Sequence, residues 1–294
     1  MDILNIKQKQ INMKRERKYS ESWKRFADNW QRMTRPGRPS GREIEIYEDF
    51  GRPILKQKSA KILILGATPE LRDMLAKYKN EQVVLVDINM EMIVAMTSLM
   101  KKKQAAEKEI WIKSDWIGAP LPENYFDAIF ADCVIHNVAQ KSRSKFLNNI
   151  KNWLKPGGHF ITRCETITPK HKRLSLSEFC KIFETKPLNL KTINLFWEAG
   201  LYSLGIDENG HLKPSIFYRR IRKHLKRHPI IEISRILAKG GALYPLDAAW
   251  RLSSARELIK LILRHFKIEK STYDSKINFI YPDYAPIYKL KAKD

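Results

Sequence analysis

The segment from Ala60 to Asp87 places two short apolar runs on either side of a turn and an amphipathic stretch. The first run, Ile62 to Leu65, stops at Gly66, and the second, Val83 to Val86, ends on Asp87. Short apolar runs bounded by turn residues are typical of buried strands, and the stretch between them has the period of a helix. The segment therefore predicts a strand, a tight turn, a helix and a second strand that ends on a carboxylate.

The same alternation continues along the chain. Three more strands are predicted at Ile110–Lys113, Phe126–Ala131 and His159–Arg163, and helices at Met90–Lys103 and Lys141–Leu154. The second of these helices is expected to stop at Lys155-Pro-Gly-Gly158, because proline and glycine end helices efficiently. Strands that alternate with helices favour a parallel sheet with right-handed crossovers.

The C-terminal part of the chain supplies the rest of the sheet. An amphipathic helix over Ser254–Phe266 precedes two predicted strands, Lys267–Tyr273 and Pro286–Lys291, which we expect to form an antiparallel closing pair. The predicted fold class is therefore α/β, a seven-stranded and mostly parallel sheet with an antiparallel last strand.

Helical patterns flank this sheet in sequence. Trp23, Phe26 and Trp30 share one helical face, and Ser40 with Glu43 forms a capping-box pattern at the start of a second helix. We expect four regions, namely an N-terminal helical arm or lid (1–58), the core (59–164), a helical insertion (165–252), and a C-terminal helix with the closing strands (253–294).

The chain is strongly basic. It carries 55 lysines and arginines against 32 acids, a formal net charge of +23. Such an excess favours an acidic partner, nucleic acid or an anionic membrane face, unless the charges are simply spread over solvated surfaces. The basic run from Lys213 to Arg227, which is amphipathic, is open to the same alternatives.

Other features of composition indicate the compartment. No apolar run approaches the roughly 18 residues of a membrane span, and the first residues lack the apolar core of a signal peptide. Cys133, Cys164 and Cys180 have no metal-like spacing, so we expect free thiols, no metal and a cytoplasmic location.

The turn after the first strand suits a ligand. Gly66 permits a tight turn and close approach, and Pro69 is suited to the first turn of a helix. Asp87 follows Gly66 by 21 residues, near the ~20 expected of a carboxylate that binds a ribose.

Five sequence blocks, in order, resemble the class I S-adenosylmethionine-dependent methyltransferases. They are Leu65–Leu71, Val84–Ile88, Ser114–Trp116, Phe126–Asp132 and Leu154–Phe160. The resemblance covers about residues 60–164, and the closing strands fit the family's antiparallel pair. It implies a Rossmann-like core that binds S-adenosyl-L-methionine (SAM) and releases S-adenosyl-L-homocysteine (SAH).

The resemblance also implies residue roles. Asp87 would accept hydrogen bonds from both ribose hydroxyls, and Asp115 would receive the adenine amine. The methionine part would pass Gly66, Ala67 and Thr68. The remaining contacts would be Ile88 on the adenine, Trp116 beside it, and Asp132 and Cys133 between the methionine part and the substrate.

One block departs from the family pattern. Ile64 stands where an acidic residue is usual, and Thr68-Pro69-Glu70 replaces the later glycines. Glu70 is a candidate for a polar contact at this turn. The altered turn leaves a different SAM-derived group transfer open.

Methyl transfer needs a base only when the acceptor must lose a proton. His136 and Asp132 are our candidates for that base or for a substrate contact. Candidates for a lid or substrate wall are Trp23, Arg38, Tyr47 and Trp197, each of which could equally be packing in the core.

Three functions remain open at this point. The first is a methyltransferase that acts on a small molecule or natural product. The second is an RNA methyltransferase that uses the basic insertion, although the Asn-Pro-Pro-aromatic motif of base amino-group methylation is replaced by Asp132-Cys-Val-Ile. The third is 3-amino-3-carboxypropyl transfer or cyclisation, and a cofactor-binding protein without activity is the non-enzymatic alternative. The sequence predicts no oligomeric state.

Overall fold

The computed structural model describes residues 30–33, 35–167, 174–187, 189–207, 209–222, 250–276 and 282–293. Its helices are α1 (Gly41–Leu55), α2 (Pro69–Leu75), α3 (Met90–Ser98), α4 (Arg143–Trp153), α5 (Leu176–Glu184), α6 (Leu190–Leu204), α7 (Pro214–Arg222) and α8 (Ala255–Ile262). Its main strands are β1 (Lys61–Leu65), β2 (Gln82–Asp87), β3 (Glu109–Lys113), β4 (Phe126–Asp132) and β5 (Leu154–Arg163). Then come the two-residue strands β6 (Thr166–Ile167), β7 (His211–Leu212), β8 (Trp250–Arg251) and β9 (Ser253–Ser254), followed by β10 (Phe266–Thr272) and β11 (Ile287–Ala292).

Seven strands form one mixed sheet in the order β10-β11-β5-β4-β1-β2-β3. The pairs β1–β2, β2–β3, β1–β4 and β4–β5 are parallel, whereas β11 runs antiparallel to both β5 and β10. The predicted fold class is confirmed. The strand order reverses between β1 and β4, and in such sheets ligands bind beyond the carboxyl ends of the strands at the reversal.

The sheet is covered on both faces. Ile62 and Ile64 of β1 belong to the core beneath α1, α2 and α3, while Leu63 and Leu65 face the core beneath α4 and α8. A strand buried on both faces shows a continuous apolar run instead of alternation, which explains the pattern of β1 in the sequence.

Three element boundaries differ from the prediction by four residues or more. The first is the end of α8, which lies at Ile262 instead of Phe266, where β10 begins. Helix α3 ends at Ser98, before Lys103, because the backbone amides of Lys101 and Lys102 bind the Asp73 carboxylate at 2.9 and 2.8 Å. Strand β5 begins at Leu154, because Leu154 pairs with Phe126 before the register shifts across the Pro-Gly-Gly turn.

The insertion contains helices in its described part, as predicted. Helices α5, α6 and α7 meet through an aromatic cluster that includes Phe179, Phe183, Phe196, Trp197 and Phe217. Within the described residues, no helix is long and apolar enough to cross a membrane. The division into four regions stays a prediction.

A buried ionic network fastens α1 to the carboxyl ends of β4 and β5. Arg163 is fully buried and donates from Nε and Nη2 to the two carboxylate oxygens of Asp132, at 2.7 and 2.9 Å. Its Nη1 donates to Glu43 at 3.0 Å, and Glu43 also accepts from Arg35 at 2.6 Å. Two carboxylates and two guanidiniums therefore share one water-excluded site, where the carboxylates raise the pKa of Arg163 well above its ordinary value.

Glu43 has a second function in the same place. The predicted capping box is present, since Glu43 N donates to Ser40 Oγ at 3.1 Å and Ser40 N donates to Glu43 Oε2 at 2.9 Å. Tyr47, one turn further along α1, donates to the carbonyl of Ala131 at 2.8 Å and accepts from the amide of Arg163 at 2.7 Å. The structure thus places Tyr47 beneath the strand ends, as a brace between α1 and the sheet.

Removing Arg163 should strongly destabilise the fold. Arg163→Met leaves the Asp132 carboxylate buried without its cation, and breaking a buried pair typically costs about 3–5 kcal/mol. Urea unfolding of the variant should show a loss of that size. Arg52→Met is the matched control, because Arg52 pairs with Asp49 on the surface of α1 and both side chains are about half exposed. A loss for Arg163→Met no larger than for Arg52→Met would contradict the prediction.

Candidate functional site

A cavity of about 470 Å³ opens at the carboxyl ends of β1, β2 and β4. Its floor is formed by the carboxyl ends of these strands, and its far wall includes Tyr202 of α6, Leu212 of β7 and Trp250 of β8. The volume falls within the range of small-molecule sites, and the position is the strand reversal described above.

The turn after β1 forms one end of the floor. Gly66 has φ +91°, a left-handed conformation that favours glycine, and its amide donates to the carbonyl of Val86 at 2.9 Å. A Cβ at this position would meet no neighbouring atom closer than 4.0 Å, in the Trp116 ring, so the backbone faces open space. Ala67 and Thr68 continue the floor.

Asp87 ends β2 at the cavity wall. Its Oδ1 accepts a hydrogen bond from the amide of Asn89 at 2.8 Å. Burial raises the pKa of Asp87 to about 6, although the backbone hydrogen bonds of Asn89 and Ile88 favour its ionised form. The next residue, Ile88, leaves half of its side chain exposed on the cavity wall, which is unusual for an isoleucine and suits a flat apolar partner.

Asp115 and Trp116 follow β3 on the same side. Asp115 Oδ1 accepts from the amide of Ile117 at 2.6 Å, which orients the exposed carboxylate. Trp116 Nε1 donates to the carbonyl of Val86 at 2.8 Å, so the indole is held beside Gly66.

The end of β4 carries strain. Cys133 has φ +54°, and its amide donates to the carbonyl of Arg163 at 3.0 Å. A left-handed conformation costs a residue with a Cβ roughly 1–2 kcal/mol and is held in place by its surroundings. Here Arg163 supplies that restraint, because it binds both Cys133 and the preceding Asp132.

Both carboxylate oxygens of Asp132 are occupied by Arg163, and Tyr47 lies 3.2 Å from Oδ1. Each oxygen therefore already accepts a hydrogen bond from a buried guanidinium. The geometry of Asp132 suits a positioning role at the cavity wall better than the role of a base.

Three further side chains line the opposite part of the cavity. His136 lies on the turn after β4, Glu165 follows β5, and Tyr202 belongs to α6. His136 Nδ1 is 3.6 Å from Glu165 Oε2. Burial, together with Arg143 and Arg163, lowers the pKa of His136 to about 3, and burial raises the pKa of Glu165 to about 7.

Glu70 does not line the cavity. Instead it accepts from Arg38 Nε at 2.6 Å and from Trp30 Nε1 at 3.1 Å. Trp30, in a short 3₁₀ helix (Trp30–Arg32), thereby closes one side of the cavity. The residue that departs from the usual glycine-rich turn thus binds the N-terminal segment to that turn.

The comparisons with known proteins agree with this geometry. Residues 66–162 match the family model described as a methyltransferase domain. This match supports a class I S-adenosylmethionine-dependent methyltransferase domain over residues 66–162, about a third of the chain. The match includes the turn at Gly66, the acid at Asp87 and the end of β4.

One curated relative is the ubiquinone/menaquinone biosynthesis C-methyltransferase UbiE of Yersinia enterocolitica. It is 26% identical to this chain over 170 residues, which is 56% of this chain and 59% of the relative. The aligned part thus spans less than two thirds of that protein.

Two solved structures share the fold. A protein described as a putative zinc-dependent alcohol dehydrogenase from Rhodobacter sphaeroides has a TM-score of 0.56 at 14% identity and covers 93% of this chain and 98% of its own. The PH0226 protein of Pyrococcus horikoshii OT3 has a TM-score of 0.51 at 15% identity and covers 86% and 93%. At these identities the likeness concerns the fold alone.

The cavity fits the cofactor of this family. The Asp87 carboxylate is available at a strand end for two hydroxyls, exposed Ile88 offers an apolar surface, and Gly66 leaves its turn open to a ligand. These residues, with Asp115 and Trp116, are the ones that would hold SAM.

Other candidate residues lie elsewhere. Trp23 lies outside the described residues, and Trp197 packs on Phe217 and Tyr218 within the insertion.

In the basic run, Lys213 pairs with Asp207 at 2.9 Å and Arg220 donates to the carbonyl of Leu204 at 2.7 Å. Among the described residues, no three His, Cys, Asp or Glu side chains are grouped as metal ligands.

Sequence reasoning did not single out Glu165, Tyr202, Leu212 or Trp250 of the cavity wall, nor Arg163, which binds Asp132. Arg163 and Glu165 flank the end of β5 but form no motif, and Tyr202 resembles an ordinary member of a helix face. The one signal in the sequence was Arg163 itself, a charge at the end of an apolar strand that must find a buried partner.

The Asp87 carboxylate should destabilise the protein without ligand at neutral pH. Its pKa in the folded state, about 6, exceeds the ordinary 3.8, so the folded chain resists ionisation and loses stability as pH rises from about 4 to 6. The difference between the two pKa values corresponds to about 3 kcal/mol, so Asp87→Asn should melt about 6–12 °C above the wild type at pH 7 and equal it near pH 4.

Asp115→Asn is the matched control for this experiment. It removes the same charge from the same edge of the sheet but does not relieve a buried carboxylate, because Asp115 is exposed. Thermal melting of the three proteins at pH 4, 5, 6 and 7 gives the comparison. A gain for Asp87→Asn that is independent of pH would contradict the assigned cause.

Proposed function

We propose that this protein transfers the methyl group of SAM to a small uncharged molecule bound in the cavity beside Cys133. The observation that carries the proposal is the convergence of Gly66, Asp87, Asp115 and Cys133 on one cavity whose far wall comes from the insertion. The family membership of residues 66–162 supports the same chemistry.

When bound, SAM supplies a methyl group on a sulfonium, which is already activated for transfer. The contribution of the protein is therefore mainly alignment of the acceptor, which can lower the barrier by about 7–11 kcal/mol. Gly66 would hold the methionine part of the cofactor and Asp87 its ribose, and Tyr202, Leu212 and Trp250 line the space left for the acceptor.

The charge of the cavity supports a small uncharged acceptor over RNA. Its described lining contains four carboxylates (Asp87, Asp115, Asp132 and Glu165) but no lysine or arginine, in a chain that has 55 of them. Phosphate-binding sites depend on cationic side chains and on backbone amides. An anionic acceptor would meet unfavourable charge here, whereas an uncharged one would not.

The apolar part of the wall supports the same conclusion. Leu212, Trp250 and Val138 line the cavity together with the Tyr202 ring. Small-molecule sites are typically apolar with a few polar groups that fix orientation. None of the described lysines and arginines lines the cavity, so the basic excess of the chain gives no support to an anionic acceptor at this site.

Asp87→Ala should weaken SAH binding by about 10- to 100-fold, because it removes charge-assisted hydrogen bonds to two hydroxyls, worth about 1.5–3 kcal/mol. Calorimetry with SAH measures this loss. Glu81→Ala is the control, since Glu81 lies exposed just before the opposite end of the same strand. Equal affinities for Asp87→Ala and wild type would contradict the assignment of the ribose site.

The product identifies the reaction and the acceptor class. The protein is incubated with methyl-labelled SAM and either a protein-free metabolite extract or total RNA, and the nucleoside product is identified by mass spectrometry. We expect SAH, with label in the metabolite extract. Methylthioadenosine would instead indicate 3-amino-3-carboxypropyl transfer, and label in the RNA would favour the second candidate.

A further inference from the structure

Glu165 occupies a position in the cavity that the cofactor contacts do not explain. It lies two residues beyond the end of β5 and is buried, with 4% of its side chain exposed. It lines the cavity together with Tyr202, Leu212 and Trp250, on the side formed by the insertion. The proposed function assigns this side of the cavity to the methyl acceptor.

The other carboxylates of the cavity wall already have partners. Asp132 is held at both oxygens by Arg163, Asp115 accepts from the amide of Ile117, and Asp87 accepts from the amide of Asn89. Among the ion pairs of the described residues, Glu165 contacts only a histidine, His136. Of the four acids, it is thus the one without a permanent cation or a backbone donor as its described partner.

We infer that Glu165 is the catalytic group that takes a proton from the acceptor, and that the acceptor is an uncharged molecule whose methyl-accepting atom carries that proton. This inference rests on the proposed function and adds a residue and a substrate class to it.

The reaction balances in charge and atoms. The lone pair of the acceptor atom forms a bond to the methyl carbon, the bond between carbon and sulfur breaks, and its electron pair stays on the sulfur of SAH. The acceptor's proton moves to the carboxylate of Glu165. One positive and one negative charge are consumed together, which is favourable in a buried site because neither charge is well solvated there.

The groups around Glu165 suit this role. Burial is the strongest influence on the pKa of Glu165 and favours the protonated form, as does Asp132. The charge of Arg163 and the hydrogen bonds with the Tyr202 phenol and the Cys133 thiol favour the ionised form. Cys164 also lies near enough to interact with it. The resulting pKa, about 7, is close to the optimum for a base that works near neutral pH.

His136 suits the role less well. Burial and the two arginines near it hold its pKa near 3, so the imidazole is neutral and binds a proton weakly. It therefore serves better as an uncharged neighbour of Glu165 than as the base.

The test compares the protons released when SAM and SAH bind. Only SAM carries the sulfonium charge, and a nearby cation lowers the pKa of a carboxyl group. Any proton released at Asp87 is common to both ligands, so the difference between them reports a group near the sulfonium. Calorimetry at pH 7 in buffers of different ionisation enthalpy should show that SAM releases up to about half a proton more than SAH, since about half of Glu165 is then protonated.

Glu165→Gln should abolish this difference while leaving SAH affinity within about twofold of wild type. Tyr202→Phe, a second variant, should enlarge it at pH 7, because loss of the phenol raises the pKa of Glu165. His136→Gln should retain it. Once an acceptor is known, Glu165→Gln should also lower kcat by about 10²–10⁴-fold, the usual contribution of a general base.

The outcomes are separable. A wild-type protein that releases equal numbers of protons with SAM and SAH overturns the role of Glu165, as does a difference that survives in Glu165→Gln or vanishes in His136→Gln. Failure of the wild type to bind either ligand would overturn the proposed function itself.

Discussion

The arrangement of the site depends on one buried cation. Arg163 joins Glu43 of α1 to Asp132 at the end of β4, and its own backbone holds Cys133 in a left-handed conformation. A guanidinium in such a site is stable only when its donors are satisfied, and the two carboxylates do this with distances of 2.7–3.0 Å. The ends of β4 and β5 are therefore fixed relative to the first helix.

The charge of the cavity wall differs in sign from the net charge of the chain. The chain has a net charge of +23, whereas the described wall of the cavity carries four acids and no lysine or arginine. A positive sulfonium would gain little from a basic cavity, and a carboxylate near it stabilises the bound cofactor. Because Arg163 is paired with Glu43 and Asp132, its own charge is largely neutralised, which keeps the cavity suited to a cationic cofactor and an uncharged acceptor.

The sheet was predictable because its signals are local, whereas much of the site depends on contacts between distant segments. Apolar runs and turn residues mark β1, β2 and β4, and the resemblance of their ends to a family located Gly66 and Asp87. The end of helix α3 was not predictable, because Asp73 captures amides 28 and 29 residues away. The pairing of Glu70 with Trp30 spans 40 residues, and that of Arg163 with Glu43 spans 120. Charged residues with partners this remote resemble ordinary surface charges in a single sequence.

Two acids of the cavity have pKa values raised by burial, but their tasks differ. Asp87, at about 6, must be ionised to accept two hydroxyl hydrogen bonds, and it is mostly ionised at neutral pH. Glu165, at about 7, exchanges a proton readily at the same pH. The difference follows from structure, since backbone amides reach Asp87 while Glu165 lies deeper, between a thiol, a phenol and a neutral imidazole. The hydrogen-bond donors near each carboxyl group therefore give Asp87 and Glu165 different pKa values. One cavity can thus contain a carboxylate that stays ionised for binding and another that exchanges a proton during the reaction.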